Sequence, residues 1–328
     1  MDSTFLFTFF VIMVAYAFDF INGFHDAANS IATIVTTKVL TPKQAVIWAA
    51  FFNFIAFLVF NLTVAKTIGS GLIDAHIVDT HFILAALIGA IFWNLVTWYY
   101  GLPSSSSHAL IGGLAGAAIA KGGFSSLKMS GFAKVMGGIF VSPALGLFVA
   151  LLMTYFFYKF SKSSKQTHFK LFKRFQLCSS ALLSLTHGSN DGQKTMGIIS
   201  ILLFSAAWIE GPFYVPCWVV ISCQAAISLG TLAGGWRIVH TMGTQITQLD
   251  TIKGCAAETG AALSLFIATQ SGIPVSTTYT VTGAIAGVGL TNGVSGPHWR
   301  VIRRIFFSWL ITMPAAASIS AALVLSNI

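Results

Sequence analysis

The chain has 328 residues, of which 55% are hydrophobic and only 8% charged, where a soluble protein carries roughly 25% charged residues. With 29 Phe, 8 Trp and a mean hydropathy of +0.81, it has too little polar surface to cover a globule in water, so the chain belongs in a bilayer. The net charge of +9 does not point to nucleic acid, because the basic residues stand between apolar runs and form no folded basic face. Cys178, Cys217, Cys223 and Cys255 show no CxxC and no metal-ligand spacing, which argues against a disulfide scaffold or a zinc site and leaves them as packing residues.

A membrane-crossing helix needs about 20 mostly apolar residues. On that measure the predicted long segments are 4–21, 44–65, 81–101, 133–158, 176–187 continuing to 209, 213–236, 255–272 and 305–326. The first is read as a retained span: Ala15-Tyr16-Ala17 resembles a cleavage site, but Asp2 stands where a signal peptide needs positive charge. Shorter apolar pieces at 27–37, 109–120 and 280–291 each follow a polar, Gly- or Pro-marked break and cannot cross alone. They predict discontinuous helices, whose free backbone groups are tolerated at mid-membrane only around a polar cavity.

Lys159, Lys162, Lys165, Lys170, Lys173 and Arg174 make one acid-free basic stretch, and Arg300, Arg303 and Arg304 precede the last span. The positive-inside rule places both in the cytoplasm and the C-terminus outside. Segment 67–80 carries Asp74 and Asp79 without Arg and with no Lys, as suits an external loop. A lipid-headgroup or nucleic-acid patch is the other use of a basic run such as 159–174.

This stretch divides the chain into a first transmembrane repeat (1–158), a basic cytoplasmic linker (159–174) and a second repeat (175–328). Asn22-Gly23-Phe24-His25-Asp26-Ala27-Ala28-Asn29 aligns with His187-Gly188-Ser189-Asn190-Asp191-Gly192-Gln193-Lys194, an offset of 165 that sets Asp26 on Asp191. Leu102-Pro103-Ser104-Ser105-Ser106-Ser107-His108 aligns with Ile273-Pro274-Val275-Ser276-Thr277-Thr278-Tyr279 at an offset of 171, and Gly112 and Gly116 with Gly283 and Gly287. Between them Asn53 falls on Gln224, and Lys66-Thr67-Ile68-Gly69 resembles His240-Thr241-Met242-Gly243. The expected fold is an all-α polytopic bundle of two inverted-topology repeats whose discontinuous helices meet at a midplane site. Duplicated halves with matching breaks are the mark of a secondary transporter.

The hydroxyl stretches each open a short helix, where free amides and the positive end of the dipole attract anions. Two such ends would give a small tetrahedral oxyanion backbone donors and the hydroxyls of Ser104, Ser105, Ser106, Ser107, Ser276, Thr277 and Thr278, although Ser and Thr also cap ordinary helices. On a helix Asn22, Asp26 and Asn29 share one face, as do His187, Asp191 and Lys194. Asp beside amide oxygens suits Na⁺, and Asp beside His suits a proton relay. An Asp191–Lys194 structural ion pair is the plainer alternative for the second half. Carboxylates beside an anion site repel it unless a cation or proton binds too, which argues for symport. Asp19 and Glu258 also sit in or beside apolar stretches, and Glu258 faces Leu87 in the repeat alignment. Glu258 is a candidate coupling residue or an interfacial one, and His25 and His108 adjoin the motifs.

The two Asp motifs, continued by Thr195-Met196-Gly197, and the two hydroxyl motifs, led in the second half by Gly272, resemble those of the inorganic phosphate transporter (PiT) family over essentially the whole chain. The chain looks like a compact bacterial member without the large central domain of animal relatives. The resemblance implies cation-coupled phosphate import across the inner membrane, a homodimer and no enzymatic activity. It implies no cofactor beyond the coupling Na⁺ or H⁺, with a divalent metal as an optional companion of phosphate. By position it assigns Ser104 to Ser107, Ser276, Thr277, Thr278 and Lys194 to substrate. It assigns Asn22, Asp26, Asn29, Asn190, Asp191, Asn53, Gln224 and Glu258 to the coupling cation or proton, with Na⁺ at Asp26, Asn29 and Asp191. Two positions depart from the pattern: Tyr279 stands where many relatives have His, and Asn53 where animal sodium-coupled relatives have Glu. Some members carry sulfate. An anion channel and an intramembrane phosphohydrolase using His25 and Asp26 are the rival classes, the latter without a Walker loop, HExxH or nucleophile elbow to support it.

Overall fold

The computed structural model describes residues 3–161, 165–271, 273 and 275–326. Asp2, Lys162, Gly272 and Pro274 of the features above lie outside them. Among the described residues the chain forms α1 (Ser3–Thr36), α2 (Pro42–Ile55), α3 (Thr63–Gly71), α4 (Thr80–Tyr99), α5 (Ser106–Gly122) and α6 (Met129–Ser161). There follow α7 (Lys165–Ser205), α8 (Cys217–Ala233), α9 (Trp236–His240), α10 (Thr251–Gln270), α11 (Thr277–Gly289) and α12 (Trp299–Leu325). The helical, polytopic expectation holds: α1, α4, α6 and α12 are each long and apolar enough to cross a membrane, and two bent pairs raise the number to six. Most of the basic stretch is helical, since α6 runs to Ser161 and α7 starts at Lys165. Cys223 and Cys255 are buried, and Cys178 and Cys217 are exposed.

One of the expected breaks is absent and two unexpected ones are present. Residues 27–37 do not form a separate piece, because α1 runs unbroken through Asn22–Asn29, whereas α7 runs through His187–Lys194 as the continuing segment 176–209 implied. Their polar side chains leave the helical backbone bonds intact, and the glycines inside them serve close packing. A Cβ on Gly23 would lie 2.0 Å from the Ile227 carbonyl oxygen of α8, and one on Gly188 2.7 Å from the Asn53 backbone of α2. Segments 44–65 and 213–236, read as uninterrupted, are the broken ones. Pro42–Leu58 meets Thr63–Gly69 at 82°, and Cys217–Ala233 meets Trp236–Gln245 at 64°.

A break inside an apolar bundle leaves amides and carbonyls that need partners. Gln193 of α7 supplies them at the first bend: its Oε1 accepts from Val64 N at 3.0 Å and Ala65 N at 3.3 Å, and its Nε2 donates to Asn61 O at 3.0 Å. Gln193→Leu orphans these groups at about 1–3 kcal/mol each. A drop in the thermal unfolding midpoint of the detergent-solubilised protein is the expected result, and an unchanged midpoint would refute the role.

The element order repeats after α6, and local details repeat with it. Asp79 caps α4 by accepting from Phe82 N at 2.8 Å, and Asp250 caps α10 by accepting from Lys253 N at 2.9 Å. Ser105 and Ser276 cap α5 and α11 through His108 N and Tyr279 N, both at 3.2 Å. Pro143 lies inside α6 and Pro314 inside α12. Burial pushes the Asp79 carboxyl up, but the hydrogen bond and charge of Lys121 outweigh it and hold it below its usual value.

Packing partners are exchanged between the halves. Besides α4, helix α5 packs on α12 of the second half, and besides α10, helix α11 packs on α6 of the first. Small residues let these backbones touch, as in other membrane bundles. A Cβ on Gly116 would stand 2.0 Å from Ala317 O, and one on Gly283 2.1 Å from Pro143 O.

Candidate functional site

Helices α1 and α7 carry the Asp motifs, and the starts of α5 and α11 carry the hydroxyls. The bundle brings all four together in its buried interior, where Asp26 is 2% exposed and Asp191 0%. Ser106 donates to Asp26 Oδ2 at 3.1 Å, and its repeat counterpart Thr277 donates to Asp191 Oδ2 at 2.8 Å. The next residue of each tip reaches the other long helix: Lys194 of α7 donates to Ser107, and Asn29 of α1, the counterpart of Lys194, donates to Thr278 Oγ1 at 3.0 Å. Each helix start is therefore tied by adjacent hydroxyls to both α1 and α7.

The flanking residues follow the same pairing. His25 Nδ1 lies 2.7 Å from Asp26 Oδ1, and Asn190, its counterpart, donates to Asp191 Oδ1 at 3.1 Å. Thr278 also donates to Asp26 Oδ1 at 3.3 Å, and Asn29 to Thr277 Oγ1 at 3.3 Å. Lys194 breaks the symmetry, since it donates to Asp191, to Ser107 and to the Val275 carbonyl at 3.3 Å, while Asn29 brings no charge. The structural ion pair is thus present, and the same ammonium also holds both hydroxyl-bearing tips. Asp26, His187 and Asp191 offer ligand atoms that all lie within 4.8 Å of one another, a set able to hold a cation.

Not every sequence-predicted residue faces this centre. Ser105 and Ser276 spend their hydroxyls on capping, and Ser104 donates to Thr97 at 2.9 Å. Asn53 is one residue removed, with its Oδ1 3.2 Å from His187 Nδ1, and Gln224 donates to the Asn53 carbonyl at 2.9 Å. Asn22 is buried on the same helix with its Oδ1 unpartnered. Glu258 forms a separate buried cluster, accepting from Thr33 at 2.6 Å, Gln176 at 3.0 Å and Ser179 at 2.6 Å. Thr33 is one turn beyond Asn29, about 6 Å along α1.

Thr97, Gln176 and Ser179 received no role from the sequence, and His187 only a place on the Asp191 face, where an Asp beside a His suits a proton relay. The structure bears out that placement, with His187 one helical turn before Asp191 and its Nε2 3.2 Å from Asp191 Oδ2. His108 and Tyr279, aligned across the repeat, stack with ring centroids 4.8 Å apart, and Tyr279 stacks on Trp309 at 4.0 Å. The Tyr that departs from the family pattern therefore joins α5 to α11 and α12.

A "Probable low-affinity inorganic phosphate transporter" of Rhizobium meliloti (strain 1021) is 57% identical over 98% of this chain and 97% of its own. One of the same description from Bacillus subtilis (strain 168) is 43% identical over 98% of this chain and 97% of its own. A solved structure described as "The sodium-dependent phosphate transporter" superposes with a TM-score of 0.88 at 24% identity, covering 98% of this chain and 100% of that one, which shows a common fold. Residues 22–320, which hold both Asp motifs and both hydroxyl motifs, match the family described as "Phosphate transporter family", and the chain belongs to that family.

Proposed function

We propose that the protein imports inorganic phosphate by symport with a cation, through alternating access of two inverted repeats about the Asp26–Asp191 centre. The observation that carries this reading is the tie between each hydroxyl-bearing helix start and both long helices. Ser106 and Ser107 of one tip, and Thr277 and Thr278 of the other, reach α1 and α7 together. Phosphate inserted between two helix N-termini gains backbone donors and these four hydroxyls. It also meets two carboxylates and one ammonium. The anion adds to a net negative centre, and in a dry interior a further cation must enter with it.

The names of the relatives support phosphate as cargo, and the solved neighbour's name makes Na⁺ the first coupling ion to test. The Asp26–His187–Asp191 set favours a second version, in which phosphate enters with a divalent ion. We also propose that residues 1–158 and 175–328 are the moving repeats and that the basic run 159–174 faces the cytoplasm, leaving the C-terminus outside.

Uptake of ³²P-phosphate into proteoliposomes tests the reading, with imposed Na⁺ or proton gradients and added Mg²⁺ or sulfate. Accumulation under one gradient is expected; absence under both would refute symport, and equal competition by sulfate would change the cargo. Ser106→Ala and Thr277→Ala are expected to raise the phosphate KM by about three- to tenfold each, the worth of one or two hydrogen bonds. Ser105→Ala and Ser276→Ala should instead cost about 1 kcal/mol of stability as lost caps. A KM unmoved in both of the first pair would reduce those hydroxyls to structural ties.

A further inference from the structure

Helices α6, α11 and α12 leave an open groove of about 660 Å³ between them on the lipid-facing surface of the bundle. Its lining is apolar except for Thr282 and Arg303. Along α12 the groove runs from Trp299, 48% exposed, past Arg303 to Trp309, 4% exposed. Ten residues of helix measure about 15 Å, half of the roughly 30 Å hydrocarbon core, so the groove has the depth of one leaflet. At its inner end the Trp309 ring stacks on Tyr279 of α11 with centroids 4.0 Å apart, and its Nε1 donates to the Pro103 carbonyl at 2.9 Å. Pro103 leads one hydroxyl stretch and Tyr279 follows the other, so a single indole in the groove wall holds both helix tips of the central site.

The other end of the groove is strongly basic. Arg300 and Arg304 are neighbours of Arg303 on α12, all three are exposed, and among the described residues no acid is paired with any of them. The first turn of α12 holds no acidic residue, so three guanidiniums stand near the helix end where cations are disfavoured. What this end lacks is an anion. The side assigned above to the cytoplasm is the one whose leaflet carries anionic lipid. A guanidinium fork matches phosphate oxygens two at a time, and an apolar channel one leaflet deep matches an acyl chain.

We propose that this groove binds an anionic phospholipid of the cytoplasmic leaflet and that its occupancy regulates transport. One acyl chain lies between α6, α11 and α12, and the lipid phosphate pairs with Arg303, with Arg300 and Arg304 beside it. The bound chain packs on Trp309 and so supports the tie between the two hydroxyl-bearing tips. The binding stands on the groove and its charge; only the effect on uptake rests on the transport reading.

The test is native mass spectrometry of delipidated protein offered phosphatidylglycerol or phosphatidylcholine. Wild type is expected to retain one phosphatidylglycerol per chain in preference to phosphatidylcholine. Retention should be about fivefold weaker in Arg303→Gln and about a hundredfold weaker in Arg300→Gln/Arg303→Gln/Arg304→Gln. Ala144→Trp, on the exposed wall of the groove, keeps every charge but fills the place of the chain, and should lose the lipid as well. In proteoliposomes, ³²P-phosphate uptake by wild type is expected to rise about fivefold or more when phosphatidylglycerol replaces part of the phosphatidylcholine, and uptake by Arg303→Gln and Ala144→Trp to stay flat. Equal retention of the two lipids, or retention untouched by the Arg substitutions, would overturn the proposal. So would Ala144→Trp that turns a dimer into monomers while keeping the lipid, which would give the groove to a second copy of the chain. Variants whose uptake responds to phosphatidylglycerol as wild type does would overturn the regulatory part. Wild type without uptake in either membrane would instead sink the transport reading, and the retention measurements would still decide the lipid site.

Discussion

Asp191→Asn is expected to stop phosphate uptake and to weaken the fold, and the two losses are separable. Asp191 accepts from Thr277 and Asn190 and is paired with Lys194, all at or below 2% exposure. Removing its charge leaves the Lys194 ammonium buried and uncompensated, a loss of about 3–5 kcal/mol. Uptake should fall by about a hundredfold or more, beyond the range that outer partners of a bound ion account for. The double variant Asp191→Asn/Lys194→Gln removes the orphan charge and is expected to regain most of the stability without regaining transport. Unfolding midpoints and initial uptake rates on the same preparations check this. If the double variant transports normally, the pair is structural and the centre lies elsewhere. Asp26→Asn has no ammonium to orphan, so it should lose uptake with a much smaller change in stability.

Gly283→Val and Gly116→Val are expected to prevent assembly altogether. The new side chains would have to enter space already held by the Pro143 and Ala317 carbonyls, at 2.1 Å and 2.0 Å from the Cβ position. Backbone cannot yield as a side-chain tip can, so the loss exceeds the roughly 1–3 kcal/mol of ordinary core overpacking. Gly137→Val on α6 is the control, because nothing stands within 4 Å of its Cβ position, and it should purify as wild type does. Size-exclusion profiles of the three variants decide the matter. Monodisperse Gly283→Val and Gly116→Val proteins would show that the α6–α11 and α5–α12 crossings are looser than described.

The parts legible in the sequence were those where chemistry is repeated. Asp26 with Asp191, and Ser106 with Thr277, could be aligned because each residue type is costly in lipid and occurs twice at a constant offset. The bends were not legible. Residues 44–65 form one apolar run, and the 82° turn inside it is held by Gln193, about 130 positions away. No local signal marks a break whose backbone groups are satisfied from a distant helix. Gly23 misled in the opposite sense, since a glycine in a polar motif reads as a breaker while here it is the floor of a helix crossing. Glu258 was visible as an acid in an apolar stretch, but its distance from the centre depends on Thr33, Gln176 and Ser179, which come from two other helices.

The exchange of partners between the halves bears on how the chain is made. Helix α5 is synthesised well before α12, on which it rests, and its polar start has no complete set of partners until α7 and α11 exist. The first half must therefore wait in the bilayer, unfinished and with buried-type polar groups unmatched, for the whole second half to be inserted. Release at Ser161 by a stop codon would leave a half-protein open to membrane proteases. The two halves produced together as separate chains should find each other, because the contacts that complete each one are carried by the other.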